Sequence, residues 1–168
     1  RSERRRKALL NVLLVDDEPL ALAHLRGMID WEKIGLRICG EARSGEEAIG
    51  LIAERDPRIV IADIDMAGMN GVDLSRYVRE RCGGQVKLGM LSSYDNYEYV
   101  RETMKNGAAD YLLKHRVDAD GLIALLTRLK EEQRSSILHF QRIVREHKQL
   151  IARLQERNAA LERKLRAL

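Results

Sequence analysis

Four short apolar runs in the sequence end at polar side chains whose types could do chemistry together. Asp16 and Asp17 follow the run VLLV, and Asp63 follows RIVIA. Ser92 follows a run that ends at residue 91, and Lys114 follows one that ends at residue 113. Any one of these side chains could be an ordinary helix cap or turn residue. All of them together, in this order, predict a shared site.

The residue types indicate the kind of ligand that such a site would bind. Three carboxylates in one place repel one another unless a cation lies among them. Oxygen ligands suit a hard ion such as Mg2+, which uses few protein carboxylates and keeps several waters. A lysine can neutralise further negative charge, and a hydroxyl can donate a hydrogen bond to an incoming anion. The set therefore predicts a site for a phosphoryl group and its metal ion.

Apolar runs of strand length alternate with helical patterns along most of the chain. We expect strands at 11–15, 36–42, 58–62, 86–91 and 109–113. We expect helices at 19–29, 46–54, 72–81 and 96–106, and a last helix that begins near residue 118. Ser44 is a candidate N-cap, and Glu47, three residues later, would complete a capping box.

This alternation predicts an α/β fold around a five-stranded parallel sheet. The runs VLLV and IVIA are apolar throughout, as is typical of strands buried on both faces. In such a sheet, ligands bind beyond the carboxyl ends of the strands. The predicted fold therefore brings the polar side chains of the site to one edge.

Composition and charge argue against several classes of protein. No apolar stretch approaches the roughly 18 residues of a membrane helix, and the charged N-terminus precedes too short a run for a signal peptide. Cys39 and Cys82 match no metal-binding spacing and predict reduced thiols in a cytoplasmic protein. The net charge of +4 divides into +4 over residues 1–7, −6 over 8–127 and +6 over 128–168. The basic C-terminal segment favours either a solvated helix or a position near nucleic acid.

Four stretches of the sequence together resemble a response-regulator receiver domain of two-component signalling. They are LLVDDEP (13–19), IVIADIDMAGMNG (59–71), MLSSYDNYEY (90–99) and GAADYLLK (107–114). The resemblance covers residues 10–130 and implies a flavodoxin-like, doubly wound sheet. It leaves a basic extension at 1–9 and a helical segment at 131–168. Stretches 30–48 and 92–114 are similar to receivers that precede AraC-type helix-turn-helix domains.

The resemblance implies a role for each matching residue. Asp63 matches the phosphoacceptor, and Lys114 matches the lysine that pairs with the phosphoryl group. The implied Mg2+ ligands are Asp17, Asp63 and the backbone carbonyl of Asp65, with Asp16 holding metal-bound water. The implied switch residues are Ser92, whose hydroxyl bonds a phosphoryl oxygen, and Tyr111, whose rotamer follows it.

Three residues depart from the pattern of the family. Ala67 stands where proline is usual, which predicts a less rigid loop after Asp63. Ser93 stands where a small residue, often glycine, is usual. His115 stands where a cis-proline is frequent, and a non-proline residue strongly favours the trans peptide. None of the three removes a chemical group from the site.

The last part of the sequence carries a heptad repeat and is similar to a leucine zipper. Eight of ten seam positions are apolar over five heptads, which predicts a coiled coil. β-Branched residues at a with leucine at d favour a parallel dimer, and a lone asparagine at a specifies register. The a positions are Ile137, Val144, Ile151, Asn158 and Leu165, and the d positions are Phe140, His147, Leu154, Leu161 and Leu168. The alternative is one amphipathic helix folded against the receiver.

The sequence thus predicts a receiver that a sensor histidine kinase phosphorylates on Asp63 with Mg2+, joined to a homodimerising helix. We expect a phosphoacceptor rather than an enzyme with turnover, and contact with DNA only through an output domain outside these 168 residues. One alternative is a mainly structural dimerisation module with a silent receiver. Another is a haloacid-dehalogenase-type phosphatase, whose nucleophile follows the first strand in a DxD pattern. Here that strand is followed by Asp16, Asp17 and Glu18.

Overall fold

The structure is a computed structural model that describes residues 9–93 and 97–168. The predicted five-stranded parallel sheet is confirmed, with strand order β2-β1-β3-β4-β5. The strands are β1 (Leu10–Val15), β2 (Leu36–Ala42), β3 (Ile59–Asp63), β4 (Lys87–Ser92) and β5 (Asp110–Leu113). The helices are α1 (Pro19–Met28), α2 (Gly45–Arg55), α3 (Gly71–Cys82), α4 (Tyr97–Lys105) and α5 (Ala119–Arg166). Two 3-10 helices, Glu32–Ile34 and Lys114–Arg116, complete the fold.

Predicted and observed elements differ mostly by one residue at their ends. Asp63 is the last residue of β3 rather than the first residue after it. Asn96, the predicted start of the fourth helix, lies outside the described residues, as does nearly all of the basic extension at 1–9.

The two faces of the sheet are covered by different helices, because alternate residues of each buried strand point to opposite sides. Leu13 and Val15 of β1 pack in one cluster with side chains from α2 and α3. Val12 and Leu14 pack in a second cluster with side chains from α1 and α5. The fold is therefore doubly wound, and every residue of β3 is buried.

Capping explains two of the helix starts. Ser44 Oγ accepts a hydrogen bond from the N–H of Glu47, as predicted for the N-terminus of α2. The Glu47 carboxylate, however, accepts from the N–H of Arg43 rather than of Ser44, so the predicted box is not closed. A reciprocal box that the sequence analysis missed forms at α3, between Asn70 and Asp73.

α5 is 48 residues long and continues without a break to Arg166. Its first part buries Leu122, Leu125, Leu126 and Leu129, with the spacing of one helical face. The chain divides into two compact units after Gln133, and the second unit is Arg134–Leu168. Across the part of the chain that the structure describes, no helix is long and apolar enough to span a membrane.

Gly71, the first residue of α3, should not tolerate a side chain. A Cβ at this position would lie 2.6 Å from the Cα of Ile64 and 2.8 Å from the carbonyl oxygen of Asp63, both backbone atoms. Gly71→Ala should lower the free energy of unfolding by about 1–3 kcal/mol, the usual cost of overpacking. Gly50→Ala is the matched control, because nothing lies within 4 Å of its added Cβ. We expect that variant to gain roughly 0.5–1 kcal/mol in urea unfolding; equal losses in both would contradict the packing argument.

Candidate functional site

The register of the sheet brings the predicted site residues to one edge. Val15 of β1 pairs with Ala62 of β3, so Asp16 and Asp63 each come one residue after a paired position. Asp63 pairs with Leu91 of β4, and Ser92 pairs with Leu113 of β5, the residue before Lys114. All four side chains therefore begin at the carboxyl ends of neighbouring strands.

The Lys114 ammonium links the carboxylates of the site. Its Nζ lies 3.0 Å from Asp63 Oδ2 and donates a hydrogen bond to it. It also lies 3.0 Å from Asp16 Oδ2, where the two groups form an ion pair without hydrogen-bond geometry. A third carboxylate, Glu18, has its Oε1 3.5 Å from Nζ. Glu18 is not among the predicted site residues, although its position directly after Asp17 places it at the same strand end.

Backbone amides hold the two buried carboxylates in place. Asp63 Oδ1 accepts a hydrogen bond from the N–H of Asp65 at 3.2 Å. Asp16 Oδ1 accepts one from the N–H of Glu18 at 2.9 Å. One oxygen of each carboxylate is therefore fixed to the chain, and the other meets Lys114.

Burial governs the electrostatics of the site, because Asp16 and Asp63 are 0% and 2% exposed. Burial and the neighbouring charge of Asp16 raise the pKa of Asp63 to about 6, although Lys114 favours the ionised form. Burial likewise raises the pKa of Asp16 above its ordinary value. Burial alone would lower the pKa of Lys114, but its contacts with the two carboxylates outweigh this and place that pKa above its usual range.

The donor set fits a hard divalent cation. Carboxylate oxygens of Asp16, Asp17 and Glu18 all lie within 4.8 Å of one another. Asp16 Oδ2 is buried and meets Lys114 as an ion pair, with no aligned hydrogen bond among the described residues, so it can accept a further ligand. Asp63 is outside this group and joins it through Lys114. Asp65 is exposed, and its N–H donates a hydrogen bond to Asp63.

The two predicted switch residues have different environments. Ser92 is fully buried, and its Oγ has no hydrogen-bond partner within the described part of the chain. Tyr111 is 43% exposed. An unpartnered buried hydroxyl is unusual in a folded protein and marks Ser92 as a donor free for a ligand.

The loop after Asp63 has Ala67 where the family usually has proline. Other contacts hold this loop in place. The N–H of Ile64 donates to Leu91, and the N–H of Gly71 donates to Ile64 at 2.8 Å. Met69 packs on Gly45, where an added Cβ would lie 2.5 Å from Met69 Cγ. After Lys114 the chain turns through the 3-10 helix Lys114–Arg116 with trans peptides.

The predicted dimer seam lies in the second unit, from Arg134 onward. Nine of its ten residues are exposed in the single chain, and Val144 is half-buried. Phe140 and Leu165 are the most exposed large side chains of the seam within α5, at 63% and 69%. Leu168 lies beyond the last residue of α5. The apolar row is therefore unpartnered within this unit.

Comparison with known protein families gives the affiliation of the chain. The response regulator receiver domain family matches residues 12–127. The chain belongs to the response-regulator receiver family. The predicted fold class and family are thus confirmed, whereas the AraC-type output and the coiled coil stay predictions.

The chain is similar in sequence to named regulatory proteins and in structure to a solved receiver domain. It is 39% identical over 106 residues to the transcriptional regulatory protein YesN of Bacillus subtilis, covering 63% of this chain and 28% of that protein. It is 35% identical over 121 residues to the transcriptional regulatory protein HptR of Staphylococcus aureus, covering 72% and 46%. Among solved structures, the chain is similar to the REC domain of AraT, a response regulator from Geobacillus stearothermophilus, with a TM-score of 0.70 and 29% sequence identity. The match covers 76% of this chain and 98% of the AraT domain. This receiver chain spans less than half the length of these two curated relatives.

The raised pKa of Asp63 predicts how the stability of the metal-free receiver depends on pH. Between about pH 4 and pH 6 the folded state binds more protons than the unfolded state, so stability falls as pH rises and then levels off. Two pKa units correspond to on the order of 3 kcal/mol. In urea unfolding with EDTA, Asp63→Asn should remove the part of this slope due to Asp63 and leave the part due to Asp16, whose pKa is also raised. Glu80→Gln, on the exposed face of α3, should keep the full slope; a wild-type stability that rises from pH 4 to 6 would contradict the shift.

Proposed function

We propose that Asp63 accepts a phosphoryl group from a sensor histidine kinase in a reaction that requires Mg2+. The observation that carries this proposal is the contact between the Lys114 ammonium and two buried carboxylates, Asp16 and Asp63, at 3.0 Å each. Such a buried anionic pair would be costly in a purely structural role. It is the arrangement that a phosphoryl-accepting carboxylate needs.

Each side chain has a part in the proposed reaction. Asp63 attacks phosphorus with a carboxylate oxygen and becomes an acyl phosphate, while the bond from phosphorus to the histidine nitrogen of the kinase breaks and that histidine leaves. Lys114 neutralises charge on the transferred group, and Ser92 Oγ donates a hydrogen bond to one of its oxygens. Asp16 and Asp17 would hold Mg2+, with Asp63 and the carbonyl of Asp65 completing the protein ligands. When bound, the ion supplies positive charge that stabilises the phosphoryl oxygens.

The chain acts in this proposal as the regulatory part of a cytoplasmic transcription regulator, without enzymatic turnover of its own. Its relatives YesN and HptR are named as transcriptional regulatory proteins and are longer than this chain. The similarity of residues 30–48 and 92–114 to receivers that precede AraC-type helix-turn-helix domains supports an output domain of that type. DNA would then be reached through that output domain.

Homodimerisation through the second unit completes the proposal. The seam from Ile137 to Leu165 exposes an apolar row on α5 that only His147 and Asn158 interrupt. Burying a large apolar side chain contributes roughly 1.5–3 kcal/mol, so pairing of two copies would stabilise this helix substantially. Asn158 at an a position favours a two-stranded, parallel arrangement.

Phosphorylation can be tested directly by intact mass. With Mg2+ and acetyl phosphate, the chain should gain one phosphoryl group, because Asp63 is the nucleophile. Asp63→Asn should gain none, whereas Asp56→Asn, an exposed control, should be labelled as the wild type is. Equal labelling of the Asp63 variant would refute the assignment, and an unlabelled wild type would favour a silent receiver.

The metal requirement is the second arm of that experiment. Asp17→Asn should raise the Mg2+ concentration needed for half-maximal labelling, because a ligand loses its charge. A beryllofluoride adduct should need both Mg2+ and Asp63. An adduct formed in excess chelator would contradict the proposed metal site.

The dimer is tested by sedimentation equilibrium of the unphosphorylated chain at tens of micromolar. We expect a dimer for the wild type and a monomer for Ile151→Lys with Leu154→Lys, since two seam positions that the dimer would bury become charged. Ala152→Lys with Ala159→Lys places the same charges outside the seam and should stay dimeric. Asn158→Ile should stabilise the assembly and loosen its dimer specificity. A monomeric wild type would refute the zipper.

A further inference from the structure

Glu18 contacts Lys114 and lies beside the proposed metal ligands, but it has no part in the proposed reaction. Its side chain is 69% exposed, whereas those of Asp16 and Asp63 are 0% and 3% exposed. Its Oε1 lies 3.5 Å from Lys114 Nζ, and its N–H donates to Asp16. Glu18 is therefore tied to the site through both its backbone and its side chain, and it lies on the solvent side.

The position of Glu18 affects any anion that approaches from solvent. The Lys114 side chain is 24% exposed, and its contact with Glu18 is the solvent-facing one of its three carboxylate contacts. A phosphoryl group that reaches Asp63 needs the same ammonium. It must therefore compete with the Glu18 carboxylate for Lys114 while its own negative charge is repelled by that carboxylate.

We propose that Glu18 is a specificity-determining residue that selects phosphodonors by charge, disfavouring dianionic small donors relative to donors of lower charge. The proposal rests on the proposed phosphorylation of Asp63. It makes the negative charge of Glu18, rather than its shape, the discriminating feature.

Two small donors differ in the relevant property. Acetyl phosphate is a dianion at neutral pH, and phosphoramidate is a monoanion. In both cases a new bond forms between an Asp63 oxygen and phosphorus. The P–O bond to acetate breaks in the first, and the P–N bond breaks in the second, with the nitrogen leaving as ammonia after protonation.

The size of the effect follows from Coulomb's law. One additional unit charge about 4 Å away changes a rate by roughly fivefold in water-like surroundings. Glu18→Gln should therefore raise the ratio of the acetyl phosphate rate to the phosphoramidate rate by about fivefold at low ionic strength. At 1 M salt, where the Debye length is about 3 Å, most of this gain should disappear.

The experiment measures phosphorylation rates of the full chain with both donors, at a Mg2+ concentration that saturates each variant in a thermal-shift titration. Glu18→Asp keeps the charge and shortens the reach, so its ratio should stay near that of the wild type. Glu32→Gln makes the same charge change in the 3-10 helix before β2, at the opposite edge of the sheet, and should leave the ratio unchanged.

The outcomes separate the selectivity proposal from the proposed function. An unchanged ratio in Glu18→Gln, an equal change in Glu18→Asp, or a change that persists at 1 M salt would overturn selection by charge while Asp63 labelling stands. A wild-type chain that neither donor labels at Asp63 would overturn both proposals. A salt-sensitive rise confined to Glu18→Gln supports the role of Glu18.

Discussion

The site of this receiver depends on one ammonium among carboxylates that would otherwise repel one another. The Lys114 Nζ contacts Asp16 and Asp63 at 3.0 Å, and both carboxylates are buried. Without that positive charge, two desolvated anions would lie at adjacent strand ends, which is a costly arrangement. Burial keeps the pKa of Asp63 raised although this contact lowers it. The three carboxylates around the ammonium outnumber its single positive charge, so further positive charge fits well there. Lys114 thus stabilises the folded site and, in the proposed reaction, neutralises charge on the phosphoryl group.

The parallel sheet explains why these side chains meet although they are far apart in sequence. Residue pairing across β1, β3, β4 and β5 fixes which positions come last on each strand. The strand pattern in turn comes from two-sided burial, with Leu13 and Leu14 of β1 in different clusters. An apolar sequence pattern therefore determines the position of charged groups.

Much of the fold and site could be predicted from the sequence because continuous apolar runs such as VLLV and IVIA identify buried strands. The edge shared by Asp16, Asp63, Ser92 and Lys114 follows from parallel pairing alone. What could not be predicted depends on side-chain reach. The contact of Glu18 with Lys114 joins residues 96 positions apart. The Glu47 carboxylate accepts from the N–H of Arg43 rather than from that of Ser44, and this too depends on local geometry that residue type does not determine.

The complete burial of β3 has a consequence for how this chain can vary during evolution. Alternate residues of the strand fill opposite cores, so one inserted residue would exchange the two sets and move Asp63 to the wrong position. The turn that precedes β3 contains Asp56, which is exposed, and a length change there would leave the pairing intact. Insertions and deletions should therefore occur mainly in the turns at the amino ends of the strands. The position of Asp63 at the carboxyl end of β3 should then change little among related proteins.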